Sequence, residues 1–204
     1  MHPNPIFRSS DHTRARNFAQ KRGFGTLSIN GDEGPLAAHI PFILSDDGSK
    51  LMFHMVRSNL IARNGHGCKA LLSVTGPDAY ISPDWYGVDQ QVPTWNYVAV
   101  HLRGTLNILP PEVLEQHLRA LSAHFETRLL PKPIWELDKI PSENLAKMYR
   151  MIVPAELEIT DIDSTWKLAQ NKPDRARLAA ADALEASTIG AELANLMRTI
   201  KEIP

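Results

Sequence analysis

The sequence predicts a mainly β, α+β fold: a small antiparallel barrel with peripheral helices and a helical C-terminal tail. Three observations carry this prediction. Short segments of alternating hydrophobicity follow one another between Thr26 and Leu109, joined by tight Gly, Asn and Asp turns. The long helical signals come late, after Pro110 and again after Pro173. Strands that alternate with long crossover helices, as a parallel sheet requires, are missing.

The elements read in order as follows. A helix is predicted from about Asp11 to Lys21, with Ser10 as a possible cap, and Gly23 and Gly25 end it. Thr26–Ile29 alternates, 30–34 (NGDEG) turns the chain, and Leu36–Phe42 forms a second strand. Asp46-Asp47-Gly48 turns again, Lys50–Val56 is a third strand, and Arg57-Ser58-Asn59 opens a short helix. Lys69–Thr75 is a fourth strand. The segment Tyr80–Tyr97 then holds two of the four tryptophans and three of the four tyrosines. Pro83, Gly87 and Pro93 prevent it from being a regular strand throughout. Trp95–Leu109 is β-like, and Gly104 within it suggests a bulge or bend. A helix with Val113, Leu114, Leu118 and Leu121 on one stripe runs from Pro110 to Phe125, and a shorter one from Ser142 to Tyr149. Val153–Ile162 is the last strand. Residues 173–202 read as two helices around Ser187–Gly190, which divides the chain into a barrel domain, 1–172, and a helical extension, 173–204.

Bulk composition narrows the function classes. The chain has 204 residues and a formal net charge of −1, which does not suit a protein whose main partner is nucleic acid. No apolar run is long enough to span a membrane, and the N-terminus lacks the apolar core of a signal peptide. A single cysteine, Cys68, excludes an internal disulfide and fits a reducing cytoplasm. GxGxxG, Walker and GxSxG signatures are absent.

Several residue groups carry chemistry. Arg57, Ser58 and Asn59 stand where a strand enters a helix, so backbone N–H groups, a guanidinium and a hydroxyl converge on what could be a terminal phosphate; helix capping is the plainer alternative. Proline in the strand His39-Ile40-Pro41-Phe42 marks an edge or a place where backbone groups meet a ligand. His39, His54 and His101 lack the close spacing of a zinc site. Trp166 and Lys167 with Gln170 and Asn171 combine an indole, a cation and two amides, which suits a heterocycle or a packed strand end. The offset of Ala186 and Gly190 matches a helix-turn-helix, but the following segment carries only Arg198 and Lys201 against Glu192, too few cations for phosphate contacts.

Taken together, FGTL (24–27), AHIPF (38–42), GPDAYISPDWY (76–86), VPTWNYVAVHLRG (92–104) and WKLAQN (166–171) resemble the PaiB-like family of FMN-binding negative transcriptional regulators, over about residues 1–175. The resemblance implies a split antiparallel β-barrel of the FMN-binding type, related to pyridoxamine-phosphate oxidase and flavin reductase-like proteins. It implies a homodimer with FMN at the subunit interface. His39, Ile40, Pro41 and Phe42 would run along the flavin, with His54 and Met55 beside it. Arg57, Ser58 and Asn59 would take the phosphate. Trp95, Asn96, Trp166, Lys167, Gln170 and Asn171 would close the cleft, some from the partner chain. Two departures stand out. The first flavin-side strand has no Arg or Lys, so the phosphate charge would rest on Arg57 and Lys167, with Arg63 close in sequence, and Ala169 replaces the family's usual serine. Two functions follow: a cytoplasmic regulator acting through its flavin or a small ligand, with direct DNA binding doubtful, or a flavin-dependent oxidoreductase acting on a small substrate.

Overall fold

Six antiparallel strands close into a barrel in the order β1-β2-β3-β6-β5-β4. The computed structural model describes residues 1–9, 11–187 and 190–200. The strands are β1 (Phe24–Gly31), β2 (Gly34–Leu44), β3 (Lys50–Val56), β4 (Lys69–Ile81), β5 (Thr94–Ile108) and β6 (Ile152–Lys167). The helices are α1 (His12–Arg22), α2 (Leu60–Asn64), α3 (Leu114–Glu126), α4 (Ser142–Tyr149), α5 (Asp174–Ala186) and α6 (Ala191–Thr199). The backbone gathers into two compact units. One holds Met1–Ala15, Thr75–His101 and Asp163–Pro204; the other holds Arg16–Val74 and Leu102–Ile162.

In the second unit, a two-residue turn joins β1 to β2, with Gly31 opposite Gly34, and β1 also pairs with β4. Alternation places Leu27, Ile40, Phe42, Leu51, Phe53, Leu72, Leu102 and Leu157 inward, each at most 2% exposed. Phe42 and Phe53 face each other across the β2–β3 pair. Full burial of side chains of this size contributes about 1.5–3 kcal/mol each. α3 packs on β2 and β3 through Leu114, His117 and Leu121. α1 starts one residue later than the sequence suggests. Asp11 caps it, with Oδ1 accepting from the N–H groups of Thr13 and Arg14 at 2.9 and 3.1 Å. Ser10, the cap expected from sequence, lies outside the described residues.

In the first unit, α5 and α6 pack through small side chains, Ala176, Ala180 and Ala181 with Leu193, Ala194 and Met197, all buried. α5 also packs on the 3₁₀ turn Pro83–Tyr86, where Tyr86 is 2% exposed. Arg198 turns back on Asp182 and Glu185 at 2.7 Å each.

Two strands run further than their sequence suggests. β4 continues through Pro77 to Ile81, and β6 runs past Ile162 to take in Asp163, Trp166 and Lys167. Gly104 makes no break in β5. Its role is close approach: a Cβ there would lie 1.9 Å from the carbonyl oxygen of Glu158 on β6. Gly104→Ala is therefore expected to lower stability by about 3 kcal/mol, read as a lower urea midpoint at unchanged slope; a midpoint equal to the wild type would show that β6 yields at this contact.

Candidate functional site

Strand alternation sorts the sequence-predicted residues before any chemistry is considered. On β2, Ile40 and Phe42 point into the barrel, whereas His39 is exposed and Pro41 half-buried on the outer face. On β3, Met55 points in at 4% exposure and His54 points out. Ile40, Phe42 and Met55 can therefore offer an outer-face ligand only their backbone. The β2–β3 ladder ends at Phe42 opposite Phe53, and the same register continued would set Pro41 opposite His54. His39 stacks on Phe24, with ring centroids 6.4 Å apart.

His54 meets a residue that the sequence reading passed over. Its Nδ1 lies 3.3 Å from Nε2 of His117 on α3. His117 is 2% exposed, and its Nδ1 has no partner among the described residues. Burial pushes His54 below its ordinary pKa. Burial and then the neighbouring His54 push His117 down to about 4. Both rings are therefore neutral at pH 7, and one N–H serves the shared contact. We assign that proton to His117 Nε2, because the orphaned Nδ1 is then a bare lone pair rather than a buried unmade donor. His54 in turn carries its proton on Nε2. The signal in the sequence was helical spacing: His117 follows Leu114 by three residues and precedes Leu121 by four, on the same buried stripe.

The turn after β3 is built around Arg57. Its Nε donates to the carbonyl of Arg150 at 2.9 Å and its Nη2 to that of Ile152 at 3.1 Å. Its backbone N–H donates to Met151. These contacts use two of five side-chain donors, and no carboxylate pairs with Arg57 among the described residues. Asn59 is the cap of α2, its Oδ1 accepting from the N–H of Ile61 at 2.8 Å. At five residues α2 is short, so charge here comes from the guanidinium more than from a helix dipole. Ser58 is exposed. An oriented, uncompensated guanidinium beside a free-standing hydroxyl has the donor chemistry of a phosphate site.

The remaining candidates lie in the other unit. Trp95 is 55% exposed and meets Tyr80 edge-to-face at 6.3 Å. Asn96, one residue on, points inward at 1% exposure and donates to Met197 Sδ at 3.6 Å. Trp166 is 4% exposed, donates its indole N–H to Ser164 Oγ at 3.1 Å, and lies under the Arg14 guanidinium at 3.6 Å. Lys167 donates to Thr94 Oγ1 at 2.5 Å, and burial pushes its pKa down. Gln170 uses both amide ends: Oε1 accepts from Leu168, and Nε2 donates to the carbonyls of Trp166 and Ile6. Asn171 is exposed. Among the described residues, no group of three or more His, Cys, Asp or Glu is placed to hold a metal ion.

Comparison with known proteins bears on the same residues. Residues 1–161 match the model of the FMN_bind_2 family, described as "Putative FMN-binding domain". The protein named Protease synthase and sporulation protein PAI 2, of Bacillus subtilis, is 31% identical over 175 residues, covering 84% of this chain and 83% of that one. Among solved structures, an FAD and heme binding protein from Mycobacterium smegmatis superposes with a TM-score of 0.59 at 18% identity, covering 83% of this chain and 78% of that one. The flavocytochrome Anf3 from Azotobacter vinelandii gives 0.60 at 14% identity, covering 81% and 72%. At such identities the structures establish the split-barrel fold alone.

The neutral histidine pair makes a testable mark on stability. Unfolded His117 takes up a proton near its ordinary pKa of 6.5, whereas the folded residue resists until about 4. The unfolded state thus binds more protons across that window, and stability must fall as pH drops through it. The loss attributable to His117 is expected to reach up to about 3 kcal/mol. His117→Gln, which cannot titrate, should flatten the dependence of urea midpoints on pH between these limits; an unchanged slope would assign the acid sensitivity elsewhere.

Proposed function

The chain belongs to the FMN_bind_2 family and is a PaiB homologue with the flavin-binding split-barrel fold, and from that premise we propose that it holds FMN specifically, with the phosphate on Arg57 and Ser58. The observation that carries this reading is the guanidinium itself. Two carbonyls orient Arg57, and no carboxylate among the described residues neutralises it. A phosphate there would meet a prepaired fork of donors rather than displace an existing ion pair. His39, Pro41 and His54 on the outer face of β2 and β3 would border the flavin ring, and the flavin would supply the redox chemistry when bound. We further read the chain as a homodimer. Val56, Leu60 and Met151, which flank Arg57 in the structure or the sequence, are each more than half exposed, and a second copy would cover them.

As to role, we read the chain as a regulator working in the cytoplasm, the role that the resemblance to PaiB-like regulators implies and that a lone Cys68 fits. The chain would respond through the flavin or a small ligand rather than by reading DNA, since Arg198 is already paired within its own helices. The oxidoreductase alternative has one specific support. His54 is neutral, held by His117, and carries its remaining proton on Nε2, which suits proton delivery to a reduced or reacting ring.

Arg57→Ala is expected to weaken FMN binding by about 10- to 100-fold while changing riboflavin affinity by less than about threefold, as flavin fluorescence quenching would show. Riboflavin is the control for folding, because the variant also releases the carbonyls of Arg150 and Ile152. Equal loss of both ligands would remove Arg57 from the phosphate role.

A further inference from the structure

A second basic site lies in the unit that contains both termini. A cavity of about 350 Å³ is lined by the N-terminal segment, the first turn of α1, the end of β6 and the C-terminal helices. Three of its lining residues are arginines, Arg8, Arg14 and Arg177, and no acidic side chain lines it among the described residues. Arg177 is 3% exposed, so its charge is inside the protein. Its Nη1 donates to the carbonyls of Met197 and Arg198, and its Nη2 reaches Asp174 Oδ1 at 3.3 Å. Its Nε–H, however, is buried with no partner among the described residues. Arg14 repeats the pattern: the guanidinium lies over Trp166 at 3.6 Å, and its Nη2 is buried with no partner among the described residues. Arg8 is half exposed, with a long contact to Asp163 at 3.4 Å.

A buried donor left unmade costs about 1–3 kcal/mol, and more when it belongs to a charged group. Both guanidinium groups line one cavity that no acidic side chain enters among the described residues, and planar groups so placed have the chemistry of an oxyanion receptor. We propose that this cavity binds a small organic oxyanion, a carboxylate or a phosphate monoester, its charged end taken by Arg14 and Arg177 and its apolar body by Ile6 and Ile200. Trp166 serves this site as the platform on which Arg14 rests. The proposal does not rest on the flavin reading: Trp166 and Gln170 of the lining are among the residues that the resemblance assigns to FMN, but the charged groups Arg14 and Arg177 are not.

The test is calorimetric titration of the full-length protein with benzoate and with phenyl phosphate at constant ionic strength, with chloride as control. One saturable site per chain is expected for at least one probe, and the preferred probe separates carboxylate from phosphate. Arg14→Gln should weaken that binding about tenfold or more. Arg14→Lys, which keeps the charge but not the fork, should weaken it too. Arg57→Ala should leave it unchanged. No saturable heat for either probe up to about 10 mM would overturn the proposal. So would wild-type affinity in both Arg14 variants, an equal loss in Arg57→Ala, or full displacement of the probe by one equivalent of FMN, which would make this cavity part of the flavin site.

Discussion

A barrel of six strands is narrow enough for side chains to fill it completely. From β2 and β3, Ile40, Phe42, Leu51, Phe53 and Met55 contribute to that filling. Because neighbouring residues on a strand point to opposite faces, every inward residue commits its neighbours to the outside. His39, Pro41 and His54 are therefore on the outer face as a consequence of core packing. The same constraint decides what meets them. α3 must bury its apolar stripe on that face, and the stripe carries His117 into contact with His54. The histidine pair is thus a by-product of how the barrel is covered, and its neutrality follows from the burial that the covering imposes.

Arg57 ties the chemistry to the frame in a different way. The carbonyl of Arg150 follows the last turn of α4, where helix carbonyls lack intrahelical donors. The guanidinium supplies one of the missing donors and, with the carbonyl of Ile152, fixes the start of β6 beside the end of β3. A lysine could not fork in this way. The structural role also explains why the charge remains available. Neutral carbonyl partners orient a cation without cancelling it, whereas a carboxylate would have done both.

Much of this frame was legible in the sequence because local signals agreed. Lys50–Val56 alternates cleanly between turn signals, and Ser142–Tyr149 follows Pro141; both spans match the structure. Asp46–Gly48 and Asp32–Glu33 turned the chain as their residue types require. β4 and β6 were read short, to Thr75 and Ile162, because Pro77 and Asp163 look like strand ends, yet the strands run on to Ile81 and Lys167. Gly104 resembled a bulge because the sequence does not show that Glu158 of β6 presses against it. His117 was hidden for a similar reason. Helical spacing puts it on the apolar stripe, but its partner is 63 residues away and spacing does not identify that partner. Likewise, nothing near Trp166 indicates that Arg14 will cover it, since that contact joins opposite ends of the chain.

The segment Trp166–Asn171 shows how far residue type can be trusted as a guide to function. An indole, a cation and two amides suggest recognition of a heterocycle. In the structure, Ala169 stands at φ 61°, a conformation that disfavours side chains by about 1–2 kcal/mol. Gln170 offsets that strain by closing the turn, accepting from Leu168 and donating to Trp166. An amide so engaged keeps only the second lone pair of Oε1 for a ligand. The indole is enclosed as well, between its bond to Ser164 and the Arg14 guanidinium. Lys167 keeps its charge at the margin, bonded to a neutral hydroxyl but disfavoured by burial. Since the strand His39–Phe42 brings no Arg or Lys, an FMN phosphate bound as proposed above would rest chiefly on Arg57.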